Sequence, residues 1–176
     1  MEFDFQPVLE GPRLRLRPLR NDDFDALYSV ASDPELWTPH PDPERYRRDR
    51  FQVFFDDALT SEATLVVVDR NKNRIVGSSR YRAHPENHEI EIGWTFLARD
   101  CWGGRYNAEL KRLMLEHAFR FVDRVIFLVG PNNHRSRRAV ENIGAVPNGR
   151  QANAAGHEHL RYELTAADFP AQQDES

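Results

Sequence analysis

The spacing of apolar residues changes along the chain, and each spacing indicates a helix or a strand. Residues 13–19 alternate leucine with arginine, as a half-buried strand does. Asn21 begins a run of N-cap residues that predicts a helix through about Ala31. An aspartate and a proline at positions 42 and 43 predict a second helix start, and apolar residues at helical spacing follow as far as residue 59.

The middle of the chain has a period of two, which is typical of strands. Residues 64–69 and 74–82 are predicted strands joined by a turn at 71–73. Residues 88–97 are predicted to add a third strand to this antiparallel meander. Its alternation predicts one face with Ile90, Ile92, Trp94 and Phe96, and an opposite face with Glu89, Glu91 and Thr95.

The second half of the chain alternates helices with strands. Asn107 is predicted to cap a helix whose apolar stripe runs to Phe121, and Gly144 is predicted to end a later helix. The remaining elements are a strand at 125–129, the later helix at 133–142, and strands at 145–150 and 157–164. This order predicts an α/β (α+β) fold with a single mixed, mostly antiparallel sheet of about seven strands, flanked by helices.

Length and composition are those of one globular domain. The chain has 176 residues, of which 40% are hydrophobic and 30% charged, and no linker rich in Gly, Ser or Pro divides it. We therefore expect one domain over residues 1–176, with a disordered polar tail at about 171–176. No apolar run is long enough to cross a membrane, and the first residues lack the apolar core of a signal peptide. The single cysteine, Cys101, is compatible with the cytoplasm, which is the expected location.

A candidate anion site lies in the loop before the helix that Asn107 is predicted to cap. The formal net charge of −4 argues against a nucleic-acid partner but does not exclude a local basic site. Gly103 and Gly104 let backbone N–H groups approach a phosphate at a helix N-terminus, and Arg99 and Arg105 add positive charge. For a glycine pair alone, a tight turn is the commoner explanation. The loop matches neither a Walker A motif nor a dinucleotide fingerprint.

Two blocks of sequence carry a family resemblance. They are residues 90–119, IEIGWTFLARDCWGGRYNAELKRLMLEHAF, and residues 129–144, VGPNNHRSRRAVENIG. The first is similar to the acyl-CoA-binding segment of the GNAT superfamily of N-acetyltransferases, in particular its ribosomal-protein N-terminal acetyltransferase branch. The second resembles that branch's Asn-x-x-Ser helix, with Asn133, Ser136 and Gly144 at the key positions. With the similar RLRLRPL at 13–19, the resemblance covers nearly the whole chain.

The resemblance implies a GNAT-like acyl-CoA N-acyltransferase fold with acetyl-CoA as co-substrate. A backbone N–H of Phe96 or Leu97 is implied as the donor to the thioester carbonyl. Asn133 is implied to bind the pantetheine arm, which agrees with an N-cap role, and Ser136 is implied as a catalytic donor toward the departing sulfur. The implied cofactor-binding residues are Phe96, Leu97, Trp102, Gly103, Gly104, Arg105, Tyr106, Asn107, Asn133 and Ser136.

The chain departs from the family pattern at a few positions. Trp102, Arg105 and Asn107 replace loop residues that are usually polar or small, which leaves the geometry of cofactor binding open. Val140 stands where a tyrosine commonly acts as the general acid, so the route by which the thiolate gains a proton is also open.

Acetyl transfer to an amine requires a general base, because most amines are protonated at neutral pH. Glu91 is the preferred catalytic base and Glu89 the second candidate, since both share one face of the strand that leads into the loop. Two solvent-facing glutamates on an exposed sheet face explain the pattern equally well. His88 is a weaker candidate.

Three other features have simple structural explanations. A basic helix face, which either meets the 3′-phosphate of CoA or is merely solvated, consists of Arg135, Arg137 and Arg138. Cys101 raises covalent thiol catalysis, but a buried or unreactive thiol is the favoured interpretation. His157 and His159 share a strand face, yet no third ligand follows at a suitable spacing, so no metal site is predicted.

The sequence therefore predicts an acetyl-CoA-dependent N-acetyltransferase acting on a primary amine, either a protein N-terminus or a small molecule. The competing hypothesis is a non-catalytic acyl-CoA-binding module on the same scaffold, and a third is a phosphate-binding protein that uses only the loop. The acceptor is expected to bind between residues 21 and 58 and at the last hairpin, where Trp37, His40 and Asp42 suggest a pocket. No membrane or nucleic-acid partner is expected, and a homodimer is compatible with the sequence.

Overall fold

The computed structural model describes residues 1–170, so the predicted tail at 171–176 lies outside the described residues. The helices are α1 (Phe24–Ala31), α2 (Arg48–Ser61), α3 (Arg105–Ala118) and α4 (His134–Asn142). The strands are β1 (Leu9–Glu10), β2 (Leu14–Pro18), β3 (Thr64–Asp69), β4 (Arg74–His84), β5 (Glu89–Leu97), β6 (Arg124–Val129), β7 (Val146–Ala152) and β8 (Glu158–Thr165).

Within residues 1–170, eight strands form one sheet in the order β1-β2-β3-β4-β5-β6-β8-β7. Neighbouring strands are antiparallel except β5 and β6, which run parallel because α3 connects them as a crossover. The prediction of a mixed, mostly antiparallel sheet flanked by helices is confirmed. The strand beyond the predicted seven is β1, whose two residues are too few to produce a period.

Apolar side chains pack on both faces of the sheet. On one face, Ile92 of β5 and Met114 of α3 belong to a large cluster that joins the crossover helix to the central strands. On the other face, Phe51 and Phe55 of α2 form a second cluster with α1. The sheet is thus covered by α3 on one side and by α1 and α2 on the other, and a site that passes through the sheet has access to both layers.

A buried carboxylate fixes the start of α3 to the sheet. The side chain of Glu109 is 3% exposed. It accepts hydrogen bonds from the backbone N–H groups of Leu14, at 2.6 Å, and of Arg13, at 3.0 Å. Because buried N–H groups require an acceptor, this contact holds the N-terminal turns of α3, and with them the glycine loop, in a fixed position on β2.

A bulge in β5 changes which way its side chains point. The pairing of β4 with β5 shifts register between Ser78 and Arg80, and Trp94 in the shifted stretch has a positive φ of 52°. The alternation of faces is interrupted there, so that Trp94 and Phe96 pack in the cluster of α1 and α2. Ile90 and Ile92 pack in the cluster of α3 instead. The prediction of one face holding Ile90, Ile92, Trp94 and Phe96 is therefore wrong beyond Ile92.

The parallel strands β5 and β6 pair only near their beginnings. Ile90 pairs with Val125 and Glu91 with Ile126, and within the described residues no later position of β5 pairs with β6. Beyond the bulge the two strands part, which leaves a gap in the middle of the sheet between residues 93–97 and 127–130.

Two predicted helix starts are wrong. α3 begins at Arg105, so Asn107 lies in its first turn and is not its cap. Gly104 takes a φ of 116°, which lets the chain enter the helix earlier than the sequence predicts. α2 begins at Arg48 rather than near residue 42, because residues 42–47 form separate turns closed by their own backbone hydrogen bonds.

Candidate active site

A cleft of about 920 Å³ occupies the gap between β5 and β6. Its walls are the bulged half of β5, the end of β6, one face of α3 and the beginning of α4. The glycine loop lies at one end, and Trp37, His40 and Arg45 lie at the other. A cleft of this kind allows two ligands to approach each other through the sheet from opposite ends.

The glycine loop presents an open backbone to the cleft. Gly103 and Gly104 have φ values of 108° and 116°, and a Cβ built on either would meet no atom within 4 Å. The first N–H groups of any α-helix lack intrahelical acceptors. At the start of α3 the N-cap is Gly104, which has no side chain to cap them, so they stay open to a ligand. Open backbone donors at the positive end of a helix dipole fit an anion such as a pyrophosphate.

Trp102 and Arg135 form the wall next to the loop. The indole N–H of Trp102 donates to the carbonyl oxygen of Leu97 at 3.0 Å, which ties the loop to the end of β5. The guanidinium of Arg135 lies 3.5 Å from the centroid of the Trp102 ring, and burial lowers the pKa of Arg135. A cation is thus held in the cleft wall close to the open backbone of the loop.

Nearly all the predicted cofactor-binding residues meet in this cleft. Its lining includes Phe96, Leu97, Trp102, Gly103, Gly104, Arg105, Asn107, Asn133 and Ser136. Tyr106 lies outside the lining, since its hydroxyl donates to Asp69 at 3.2 Å. Asn133 caps α4 by accepting the N–H of Ser136 at 3.2 Å. Val140, at the position of the family's tyrosine, is 4% exposed and belongs to the core.

Lys111 is a cleft residue that the sequence interpretation did not select. It is 5% exposed, and its Nζ donates to the hydroxyl of Thr95 at 2.7 Å. The Thr95 hydroxyl in turn lies 2.8 Å from that of Ser79, so within residues 1–170 the hydrogen-bond partner of Nζ is a neutral hydroxyl. Burial lowers the pKa of Lys111 to about 7. The sequence could have indicated this burial, because Lys111 lies three residues before Met114 and therefore on the same buried stripe of α3.

The opposite end of the cleft carries two histidines. His40 lines it beside Trp37, as the predicted acceptor pocket requires. His159 of β8 also lines it, and its Nδ1 donates to the carbonyl oxygen of His157 at 3.0 Å. In the neutral ring that bond places the proton on Nδ1 and the lone pair on Nε2, and the side-chain amide nitrogen of Asn153 lies 3.5 Å from Nε2. The sequence pattern did not indicate this placement, because it showed His159 only as a weak metal-ligand candidate together with His157.

Glu89 and Glu91 do not line the cleft. Glu91 is 3% exposed and lies 2.9 Å from Nε2 of His84. Glu89 accepts hydrogen bonds from Arg161, at 2.6 Å and 3.1 Å. Burial acts to raise the pKa of Glu89, but the bonds from Arg161 and the charge of Arg124 hold it below its ordinary value. Both carboxylates are therefore buried and paired, contrary to the alternative of solvent-facing glutamates, and their catalytic role stays a prediction.

Other candidate groups are accounted for by their surroundings. Cys101 is 2% exposed, and burial together with the charge of Asp100 raises the pKa of its thiol to about 11, which disfavours a reactive thiolate. Within residues 1–170, no three His, Cys, Asp or Glu side chains are grouped so as to hold a metal ion. In the same part of the chain, no helix has the length and apolar character needed to span a membrane.

Comparison with known proteins identifies the family. The model of the acetyltransferase (GNAT) domain matches residues 13–146. A GCN5-related N-acetyltransferase from Brucella melitensis superposes with a TM-score of 0.82 at 22% identity, over 94% of this chain and 81% of that one. RimJ from Mycobacterium smegmatis, solved with CoA-disulfide, gives a TM-score of 0.70 at 20% identity, over 94% and 89%. Spermidine N-acetyltransferase from Vibrio cholerae, solved with CoA and spermine, gives 0.67 at 16% identity, over 90% and 98%.

Because the family model covers most of the chain, this protein belongs to the GNAT acetyltransferase family. It is an acetyltransferase with acetyl-CoA as its co-substrate. The residues present fit that co-substrate, since the open backbone at Gly103 and Gly104 suits a pyrophosphate and the gap between β5 and β6 suits an extended arm.

Proposed function

We propose that this chain transfers the acetyl group of acetyl-CoA to a primary amine that enters from the side of α1 and α2. The observation that carries the proposal is the continuous cleft, which has phosphate-binding features at one end and, at the other, a histidine whose Nε2 has only a long contact, 3.5 Å from the side-chain amide of Asn153. Acetyl-CoA supplies an activated acyl thioester. The chain supplies the binding surface, the orientation of the two partners and the acceptor for the proton of the amine.

His159 is the residue that we propose as the general base. It lines the cleft, and its Nδ1–H is bound to a carbonyl oxygen, so Nε2 of the neutral ring can take a proton from the incoming ammonium once the long contact with Asn153 gives way. Glu91 remains the alternative base predicted from the sequence. The contacts favour His159, because the Glu91 carboxylate is paired with His84 and lies outside the cleft lining.

The function is tested by mixing the purified chain with acetyl-CoA and a panel of amines, and by following free CoA thiol together with the mass of the acetylated product. The proposal predicts thiol release that depends on an amine. A chain that binds CoA and acetylates no member of a broad panel would instead be a non-catalytic acyl-CoA-binding module. Competition by ATP as strong as that by CoA would favour a general phosphate-binding protein.

His159→Gln is expected to lower kcat by about 100-fold and to leave CoA binding unchanged, because a positioned general base contributes roughly 100- to 10,000-fold to a rate. Glu91→Gln, which keeps a hydrogen-bond acceptor for His84, is the matched comparison and is expected to have a smaller effect. Both variants are measured by steady-state kinetics and by calorimetric titration with CoA. A larger loss in Glu91→Gln would assign the base to Glu91.

Arg135→Ala is expected to weaken CoA binding by about tenfold, since a charge-assisted contact with a phosphate contributes roughly 1.5 kcal/mol. Arg150→Ala is the control, because Arg150 is exposed on β7 and lies outside the cleft lining. Calorimetric titration at two salt concentrations measures the change. Equal CoA affinity in Arg135→Ala and Arg150→Ala would remove Arg135 from the cofactor site.

A further inference from the structure

The ring of His40 has a fixed tautomer. The backbone N–H of Asp42 donates to its Nδ1 at 2.9 Å, so a neutral ring must carry its proton on Nε2. Burial and the charge of Arg45 lower the pKa of His40 to about 4, which keeps the ring neutral at physiological pH. His40 therefore presents an N–H donor from Nε2.

The guanidinium of Arg45, which can only donate hydrogen bonds, faces the Nε2–H donor of His40. Its Nη1 lies 3.4 Å from Nε2 of His40, and a guanidinium has no atom that accepts a hydrogen bond. Its Nε is buried without a hydrogen-bond partner among the described residues, and the nearest carboxylate oxygen, on Asp42, is 3.6 Å away. His40 and Arg45 both line the cleft, and among residues 1–170 no acceptor joins the two N–H groups that face each other there.

A second arginine adds positive charge behind the first. Arg80 has a side chain that is 6% exposed, and its guanidinium lies 4.6 Å from the centroid of the Trp94 ring. Its Nε and Nη2 have no hydrogen-bond partner within residues 1–170, and its one ion pair is with Asp57, which is largely exposed. Both guanidiniums lie close to the phenyl ring of Phe54, that of Arg45 at 4.7 Å and that of Arg80 at 5.9 Å from its centroid. Buried guanidinium N–H groups of Arg45, in the cleft lining, and of Arg80, outside it, thus lack hydrogen-bond acceptors among the described residues, although each arginine has an aspartate nearby.

We propose that the acceptor is a small amine that also carries a carboxylate, and that His40 and Arg45 bind this carboxylate while the amine faces His159. The inference rests on the proposed acetyl transfer and names its substrate class. A carboxylate supplies the acceptor that the two converging N–H groups lack, and it offsets the repulsion between the two arginines. A polyamine would bring further positive charge to the same place and is disfavoured.

The test compares three sets of amines on the full chain with acetyl-CoA, namely free α-amino acids, the same amino acids as carboxamides, and spermidine. The proposal predicts that at least one free amino acid has a kcat/KM about 30-fold or more above that of its carboxamide and above that of spermidine, as expected for a charge-assisted bond at a partly buried site. Equal turnover of acids and carboxamides, or a preference for spermidine, would overturn the inference and leave the acetyltransferase function standing.

Variants of Arg45 distinguish a loss of carboxylate binding from a general loss of folding, because only the former affects the amino acid more than its carboxamide. Arg45→Met is expected to lower kcat/KM for the preferred amino acid by about 30-fold and to leave its carboxamide little changed. Arg45→Lys is expected to recover part of the loss, since it keeps the charge. Arg48→Met is the control, because Arg48 is exposed on α2 and lies outside the cleft lining. Parallel losses for acid and carboxamide would contradict the assignment.

Calorimetric titration of the same amino acids and carboxamides reads out binding without turnover. Tighter binding of the acid, lost in Arg45→Met, supports the assignment of His40 and Arg45 as a carboxylate site independently of turnover. If no amine is acetylated by a chain that binds CoA, the proposed function fails. If acid and carboxamide bind equally in wild type, the inference fails.

Discussion

Lys111→Met is expected to raise the free energy of unfolding by roughly 3 kcal/mol at pH 7, since each pKa unit corresponds to about 1.4 kcal/mol and the lost hydrogen bond to Thr95 offsets about 1 kcal/mol. The pKa of Lys111 falls from its ordinary 10.5 to about 7 because the side chain is buried, and among the described residues it is hydrogen-bonded to no carboxylate. Keeping the lysine in the fold therefore costs free energy, whereas methionine of similar length fills the same space without a charge.

The stabilisation by Lys111→Met should depend on pH with a definite sign. The pKa of Lys111 is about 7 in the folded chain and near the ordinary 10.5 in the unfolded chain. Between these values the unfolded chain binds more protons, so wild-type stability rises with pH relative to the variant. The difference between the two proteins is largest below pH 7 and shrinks as the pH approaches 10.5.

Urea unfolding of wild type and Lys111→Met at intervals from pH 6 to pH 9.5 measures this difference. Lys72→Met is a matched control, because Lys72 is the other lysine of the chain and lies exposed in the turn between β3 and β4. It should change the stability little at any pH. A stability difference for Lys111→Met that stays constant from pH 6 to pH 9.5 would contradict the buried-amine interpretation.

Gly77→Ala is expected to destabilise the fold by at least about 3 kcal/mol and to weaken CoA binding, which places it among the severe single substitutions. A Cβ at Gly77 would lie 1.9 Å from the carbonyl oxygen of Phe96 and 3.1 Å from the Cα of Leu97. Both are backbone atoms, so β4 and β5 would have to separate next to the bulge. Phe96 and Leu97 line the cleft, and their displacement would disturb the cofactor site as well.

Gly93→Ala is the matched control for Gly77→Ala, since it lies on the paired strand at the other side of the bulge. A Cβ there would meet only a carboxylate oxygen of Glu91, at an ordinary contact distance of 3.6 Å. Thermal and urea unfolding of both variants should show a large loss for Gly77→Ala and a small one for Gly93→Ala. Similar losses of unfolding free energy in the two variants would contradict the interpretation that β4 and β5 approach too closely at Gly77 to accept a Cβ.

The elements that the sequence predicted correctly are those whose signals are local. Asn133 caps α4 through its own side chain, and Gly144, with a φ of 96°, follows the end of that helix as predicted. The parallel pair of β5 and β6 follows from the crossover helix between them. A capping residue acts over only a few residues of the chain, but the same kind of signal predicted the wrong start at Asn107 and near residue 42, where positive-φ Gly104 and separate turns decide the helix start.

The features that the sequence did not predict depend on contacts between distant residues. The bulge at Trp94 arises from the pairing of β5 with β4, and the residues of β5 themselves alternate regularly. Glu91 is paired with His84 of the neighbouring strand, which no spacing within β5 indicates. The convergence of Arg45 and His40 likewise depends on the turns before α2, where the residue pattern predicted a helix.

A crystal structure of the chain with CoA is the most direct test of whether acetyl-CoA binds in the gap between β5 and β6. We expect the pyrophosphate against the backbone N–H groups of the loop at Gly103 and Gly104, with the pantetheine arm between the two strands and its thiol end toward His159. CoA bound elsewhere on the chain, with the gap empty, would contradict the account.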